Sequence, residues 1–443
     1  MSTWRRFLSL LMVGGVAAGM FLAVPPAAVA APSSGTAVAQ LGSDFRFGVA
    51  SSGFQSEGVN RDSNWTRYGA RGQVAEPVGN AVDFFHRYPE DIAHARALGV
   101  AVYRVSVEWS RVEPAPGRDD PAAWAFYDRV IGGIVAAGMT PMITLNHWVH
   151  PGWEVDRGGW NRPGMADDLI GFATKVVDRY AWARPSWVTF NEPTEYVRRE
   201  LTFGGLRPQN VNRMVDGIVR AHRTLYAHIH AVQPEAQVTS NLAYFPIPGV
   251  QAFLEGLFPR RMAGALDVIG VDQYYSVSLL DVSAAASATG DFARSSQAPE
   301  AIYYVLRHVA REFPGVPVYV VENGLATDGA GRRPDGYRRA DHLRDTVYWI
   351  QRAVADGVDV VGYNYWSLTD NYEWGDYTAH FGLYTVDVAG DPSLTRRPTP
   401  AVAAYRQIIA DRGVPAGYRP TRAPVLCSFV DVPDSCAHPA VVR

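Results

Sequence analysis

Two stretches decide how this chain is read: Trp187-Val188-Thr189-Phe190-Asn191-Glu192-Pro193 and Val318-Tyr319-Val320-Val321-Glu322-Asn323-Gly324. Each is a run of β-branched and aromatic residues, the composition of a strand buried on both faces, and each ends abruptly in a glutamate beside an asparagine. A proline or glycine follows, so the strand stops where the polar pair begins. Six further runs have the same character: Phe45 to Ala50, Val102 to Val107, Pro141 to Leu145, Gln237 to Leu242, Val268 to Val271 and Val358 to Tyr365. Between them lie apolar residues at helical spacing, in Tyr88 to Leu98, Trp124 to Ala137, Ala166 to Ala181, Val211 to Val232, Ala301 to Phe313 and Asp341 to Ala355. Strands alternating with helices imply parallel strands and crossover helices, and eight such units favour a closed (β/α)8 barrel over an open doubly wound sheet. No G-x-G-x-x-G turn follows an early strand, which weakens the open-sheet alternative. No repeat of solenoid period is present.

The composition fits a globular enzyme: 443 residues, 47% hydrophobic and 19% charged. The formal net charge is −3, which argues against a nucleic-acid partner, and Lys175 is the single lysine. Arg5 and Arg6, the apolar run Phe7 to Val24 and the triplet Ala28-Val29-Ala30 have the layout of a secretory signal peptide cleaved near Ala30. The expected product is secreted, with no stable membrane anchor. A retained anchor is the rival reading, because the run is close to the ~18-residue lower edge of a span. Residues 31–43 read as a linker, 44–413 as the catalytic barrel and 414–443 as a Pro-rich tail outside the α/β rhythm. Ser283 to Ala298 reads as a mobile loop between the sixth strand and its helix. The two cysteines, Cys427 and Cys436, form either a disulfide clipping that tail or two free thiols in a frayed end.

Barrel enzymes carry their chemistry where the strands end. There this chain has Gln55, Arg104 and Glu108, His147-Trp148, Asn191-Glu192, Asn241, Tyr274, Glu322-Asn323 and Trp366. A carboxylate in such a place is costly to desolvate unless it is paired or used. Glycoside hydrolysis needs two of them, one to protonate the leaving oxygen and one to attack or to activate water. Trp366-Ser367-Leu368-Thr369-Asp370-Asn371-Tyr372-Glu373-Trp374 adds rings for sugar faces and acids and amides for hydroxyls. The histidines offer one near pair at helical spacing but no third ligand, so no metal site and no cofactor are expected.

These residues resemble glycoside hydrolase family 1, the β-glucosidase family, from Asp44 to about Ile408. The matching blocks are Phe47-Gly48-Val49-Ala50-Ser51-Ser52-Gly53-Phe54-Gln55, Tyr103-Arg104-Val105-Ser106-Val107-Glu108-Trp109, Thr144-Leu145-Asn146-His147-Trp148, Thr189-Phe190-Asn191-Glu192-Pro193 and Val321-Glu322-Asn323-Gly324. The resemblance implies a retaining β-glycosidase. Glu192 would be acid/base and Glu322 nucleophile, with Arg104, Asn191 and Tyr274 in support. Gln55, His147, Trp148, Trp366, Glu373 and Trp374 would bind the sugar of a small β-glycoside or oligosaccharide. Members acting on 6-phosphorylated sugars have a serine and a downstream lysine near Glu373 to Tyr384. This chain has neither there, and an anionic Glu373 is expected to repel a phosphate. One departure concerns the sixth strand: Asp272-Gln273-Tyr274 stands where the family usually has Asn-x-Tyr. A transglycosylase of the same mechanism, and a non-catalytic glycan-binding barrel, are the alternative readings.

Overall fold

The computed structural model describes residues 38–245, 248–276, 292–329, 331–425 and 427–442. Eight strands close into a parallel barrel in which each pairs with its neighbours in sequence and the first pairs with the last. They are β1 (Arg46–Ala50), β2 (Val102–Ser106), β3 (Thr140–Thr144), β4 (Ser186–Asn191), β5 (Val238–Ala243), β6 (Ile269–Asp272), β7 (Val318–Asn323) and β8 (Val360–Trp366). The expected (β/α)8 barrel is the fold observed. Every residue of β2, β4, β6 and β7 is buried, as required of strands with the barrel interior on one face and helices on the other.

The helices that cover the barrel are α1 (Phe84–Leu98), α2 (Pro121–Ala136), α3 (Met165–Tyr180), α4 (Pro193–Thr202), α5 (Val211–Val232), α6 (Pro248–Leu257), α7 (Ala301–Glu312), α8 (Arg339–Ala355) and α9 (Pro400–Asp411). Their apolar faces recur at helical spacing; α5, for example, buries Met214, Ile218, Ala221, Leu225 and Ile229. His222 on the same face bridges Thr189 Oγ1 of β4 and the carbonyl of Ala265, both at 2.7 Å, and burial pushes its imidazole down to about 4. It is a structural histidine, neutral where it sits.

Inside the barrel, Val102, Met142, Val188, Val268, Tyr319 and Val321 form an apolar floor. Side chains two residues further along a strand return to the same face, so Arg104 and Thr144 lie directly above Val102 and Met142. On β4 the spacing is three: the register against β5 shifts between Val188 and Asn191, and this extra residue is what turns Asn191 inward. A similar irregularity lies between Val320 and Asn323 on β7. The first falls just before Glu192 and the second spans Glu322.

All described residues belong to one compact unit. The segment from Val414 runs along the outer faces of α7 and α8. Tyr418 and Thr421 donate to the buried carboxylate of Asp345, Val425 N–H to Glu300, and Ala440 N–H to Tyr304 Oη, while Arg307 pairs with Asp434 at 2.8 Å. Cys427 and Cys436 are disulfide-bonded. The signal-peptide and anchor readings fall on residues outside those described, as do 283–291 of the irregular loop. Among the described residues, no helix is long and apolar enough to cross a membrane.

Gly362 on β8 leaves room for the Tyr319 ring, because a Cβ there would lie 2.3 Å from it. Gly362→Ala is therefore expected to destabilise the barrel by about 1–3 kcal/mol, read as a lower urea midpoint with an unchanged slope.

Candidate active site

The site is built on Arg104, which rises from β2 above the apolar floor and is wholly buried. Such a charge must have every donor engaged. Its Nε donates to Thr144 Oγ1 at 2.9 Å, one terminal nitrogen to Glu322 Oε1, and the other to Asn191 Oδ1 at 2.7 Å. Tyr274 Oη donates to the second oxygen of Glu322 at 2.8 Å, so both oxygens of that carboxylate are held. Asn191 Oδ1 also accepts from Asn241 Nδ2 at 2.7 Å, and its own amide donates to His147 Nε2 at 3.1 Å. That bond places the imidazole proton on Nδ1, which has no protein partner. Burial, and secondarily the charge of Arg104, keep His147 neutral, far below its usual range.

Glu192 lies at the end of β4 with φ 37° and ψ 64°, a left-handed conformation that costs a non-glycine residue about 1 kcal/mol or more. The chain enters α4 immediately, with Pro193 at its first position and Tyr196 N–H bonded to the Glu192 carbonyl at 3.0 Å. Burial, then the charges of Glu322 and Glu195, raise the Glu192 carboxyl well above the ordinary range; Arg104 and Arg199 oppose the shift. Glu195, one turn into α4, behaves oppositely. Burial alone would raise it, but ion pairs to Arg198 and Arg199 hold it at about 2.

Glu192, Glu322 and Asp272 at the end of β6 each bring one carboxyl oxygen within 4.8 Å of the others, the one such acidic trio among the described residues. Arg104 supplies the cation that answers this charge. Opposite them, Trp366 Nε1 donates to Glu373 Oε1 at 3.3 Å. The ring of Trp374 stacks on His147 at 5.6 Å and on Phe54 at 5.9 Å, and lies 4.6 Å from Trp148. The barrel thus brings all the expected residues to one end, and two of them have polar partners within the chain. Gln55 is fully buried, with its amide nitrogen donating to Asn371 Oδ1 and the Tyr372 carbonyl and its oxygen accepting from Ser52. Trp148 spends its indole N–H on the Asn191 carbonyl at 2.8 Å. The expectation of an anionic Glu373 is corrected: burial pushes its carboxyl up to about 8, so it carries a proton at neutral pH. No lysine or arginine occurs between Glu373 and Tyr384.

Sequence reasoning did not assign roles to Thr144 or to the layer beneath Gln55. There Arg111 pairs with Glu57 at 2.8 Å, Tyr127 donates to Glu57, and burial with the Glu57 charge pushes Glu108 up to about 8. The signal was available as charged residues inside apolar segments.

A closed barrel with carboxylates, amides and indoles converging at the C-terminal ends of its strands defines an enzyme of the glycoside hydrolase class. Residues 37–243 and 261–414 match the model of glycosyl hydrolase family 1, and the chain belongs to that family. It is 28% identical to β-glucosidase 47 of Arabidopsis thaliana, across 83% of this chain and 84% of that protein. It is 25% identical to a 6-phospho-β-galactosidase of Lacticaseibacillus casei, across 79% and 94%. A β-glycosidase structure from Pyrococcus horikoshii superposes with a TM-score of 0.72 at 25% identity, covering 86% of this chain and 97% of that one.

The raised carboxyl of Glu373 carries a stability consequence. A group protonated to about pH 8 in the folded chain but ionised from about 4.5 when unfolded stabilises fully below 4.5, and that contribution is lost as pH rises to 8. Glu373→Gln is expected to remove up to about 1.4 kcal/mol of this loss per pH unit, so its stability advantage over wild type should grow between pH 5 and pH 8 in urea titrations.

Proposed function

We propose that the protein hydrolyses unphosphorylated β-D-glycosides with retention of configuration, with Glu322 as nucleophile and Glu192 as general acid/base. One observation carries this reading: carboxyl oxygens of the two glutamates lie within 4.8 Å. Inversion requires a water between carboxyl groups roughly 6.5–9.5 Å apart, whereas retention by a covalent intermediate needs about 5–5.5 Å.

The two environments divide the roles. Glu322 is fixed by the Arg104 cation on one oxygen and the Tyr274 hydroxyl on the other, aligned for attack, while Glu192 is held protonated by burial and like charge. In the first step a Glu322 oxygen bonds to the anomeric carbon as the bond to the aglycone oxygen breaks, and Glu192 gives that oxygen its proton. In the second, a water loses a proton to Glu192 and adds to the same carbon; the ester breaks, Glu322 leaves as carboxylate and Glu192 is again protonated. His147 Nδ1–H and the Glu373 carboxyl have capacity left for sugar hydroxyls, and Trp366 offers an aromatic ring for the sugar's apolar face. The lack of lysine and arginine from Glu373 to Tyr384 supports an unphosphorylated sugar, although relatives of both kinds exist. Export is part of the same proposal: its supports are the N-terminal layout and the disulfide, a bond that persists in oxidising compartments.

The test is a panel of aryl β-glycosides (glucoside, galactoside, fucoside, xyloside, mannoside, 6-phosphoglucoside) with the chain lacking residues 1–30. At least one unphosphorylated sugar should be released first as its β-anomer, followed by NMR. Glu322→Gln should lose about 10³-fold or more in kcat. Release as the α-anomer, or full activity in that variant, would refute the assignment.

A further inference from the structure

Asp272 is the last residue of β6 and is in register with Glu322 of β7. Its side chain is 1% exposed. Oδ2 accepts from Asn241 Nδ2, whereas Oδ1 has no hydrogen-bond partner although it is buried. The charged and titratable groups facing it are Glu192 from β4, Glu322 from β7, Arg104 from β2 and Tyr274 from its own strand's extension; β5 contributes the neutral Asn241. Arg104 is the only cation of that group, and its three nitrogens bond to Thr144, Glu322 and Asn191.

One guanidinium balances one carboxylate, and Glu322 is the carboxylate it touches. A second negative charge at Asp272, within 4.8 Å of the first, would stand unpaired in a buried place. A proton on Oδ1 removes that charge and makes the one unpartnered oxygen of Asp272 a donor, in a residue whose carboxyl lies within 4.8 Å of both glutamates. We propose that Asp272 works as a neutral carboxylic acid, a positioning residue that lends a hydrogen bond from Oδ1 to the Glu192–Glu322 pair and keeps the site competent only while it stays protonated. Burial, followed by the charges of Glu322 and Glu192, acts in the same sense, raising its carboxyl well above the ordinary range. The proposal rests on the assignment of Glu192 and Glu322 made above. No proton is transferred by Asp272 during turnover; it stays on Oδ1.

The active form then holds two protons on the alkaline side, one on Glu192 and one on Asp272, which titrate as a coupled pair. The experiment compares wild type, Asp272→Asn and Asp272→Ala in kcat/KM from about pH 5 to about pH 10, on whichever glycoside of the panel is cleaved. Asparagine keeps the shape and a donor but cannot ionise. The wild-type alkaline limb should steepen toward roughly 100-fold per pH unit, and that of Asp272→Asn should stay near tenfold and begin at the same or higher pH. Asp272→Ala should fall about tenfold or more below Asp272→Asn at the optimum, since the donor is lost. Infrared spectra supply a readout independent of turnover: subtracting Glu192→Gln/Asp272→Asn from Glu192→Gln at neutral pH should leave the band of one protonated carboxyl, the contributions of Glu108 and Glu373 being common to both and cancelling. Superimposable limbs, a limb moved to lower pH in Asp272→Asn, or an unchanged band would each overturn the proposal. If wild type cleaves no glycoside, the assignment of the glutamates fails instead, and the infrared band still decides whether Asp272 is protonated.

Discussion

Everything at the open end of this barrel is arranged around one buried guanidinium. Arg104 has no access to water, so desolvation would cost several kcal/mol unless each nitrogen found an oxygen. It finds them on β3, β4 and β7, and those three bonds fix where Thr144, Asn191 and Glu322 lie. Asn241 and His147 attach to the same network through Asn191. The apolar floor beneath supplies the low dielectric that makes these bonds strong, and it also makes any unpaired charge among them expensive.

The same environment explains how neighbouring carboxyls come to differ. Glu322 has a cation and a hydroxyl on its two oxygens; Glu192 has burial and like charges, so a proton suits it. Glu373 has an indole N–H and little else, and it too keeps a proton. Glu195 sits one turn beyond Glu192 and is fully ionised, because two arginines flank it. Chemically similar groups are assigned opposite states by what surrounds them, which is the device by which a single site holds both an acid and a base.

Much of this was legible in the chain itself. The eight strands and six principal helices follow from local properties: β-branched runs, helical spacing and turn breakers, which act over a few residues. The residues at strand ends were legible for the same reason, since an acid after an apolar run is a local anomaly. What escaped depends on contacts between distant segments. Nothing near Thr144 announces that it will accept a bond from Arg104, forty residues earlier. The amide of Gln55 donates to Asn371 and Tyr372, over three hundred residues away, and nothing beside it in the chain announces those bonds. Glu373 was read as an anion because a sequence carries no measure of burial. The inward turn of Asn191 hangs on a one-residue register shift that alternation alone would have placed on the other face.

The clasp on Asp345 bears on the order in which the molecule can be completed. This carboxylate is buried and takes one donor from Tyr337 and the rest from Tyr418 and Thr421. A ribosome emits those last two residues only after every strand of the barrel has been made. Until then α8 carries a carboxylate with most of its ligands still unborn, and β1 has only just met β8. Final consolidation of the half-barrel bearing Asp272 and Glu322 is thereby deferred until Tyr418 and Thr421 have been made and can close on α8.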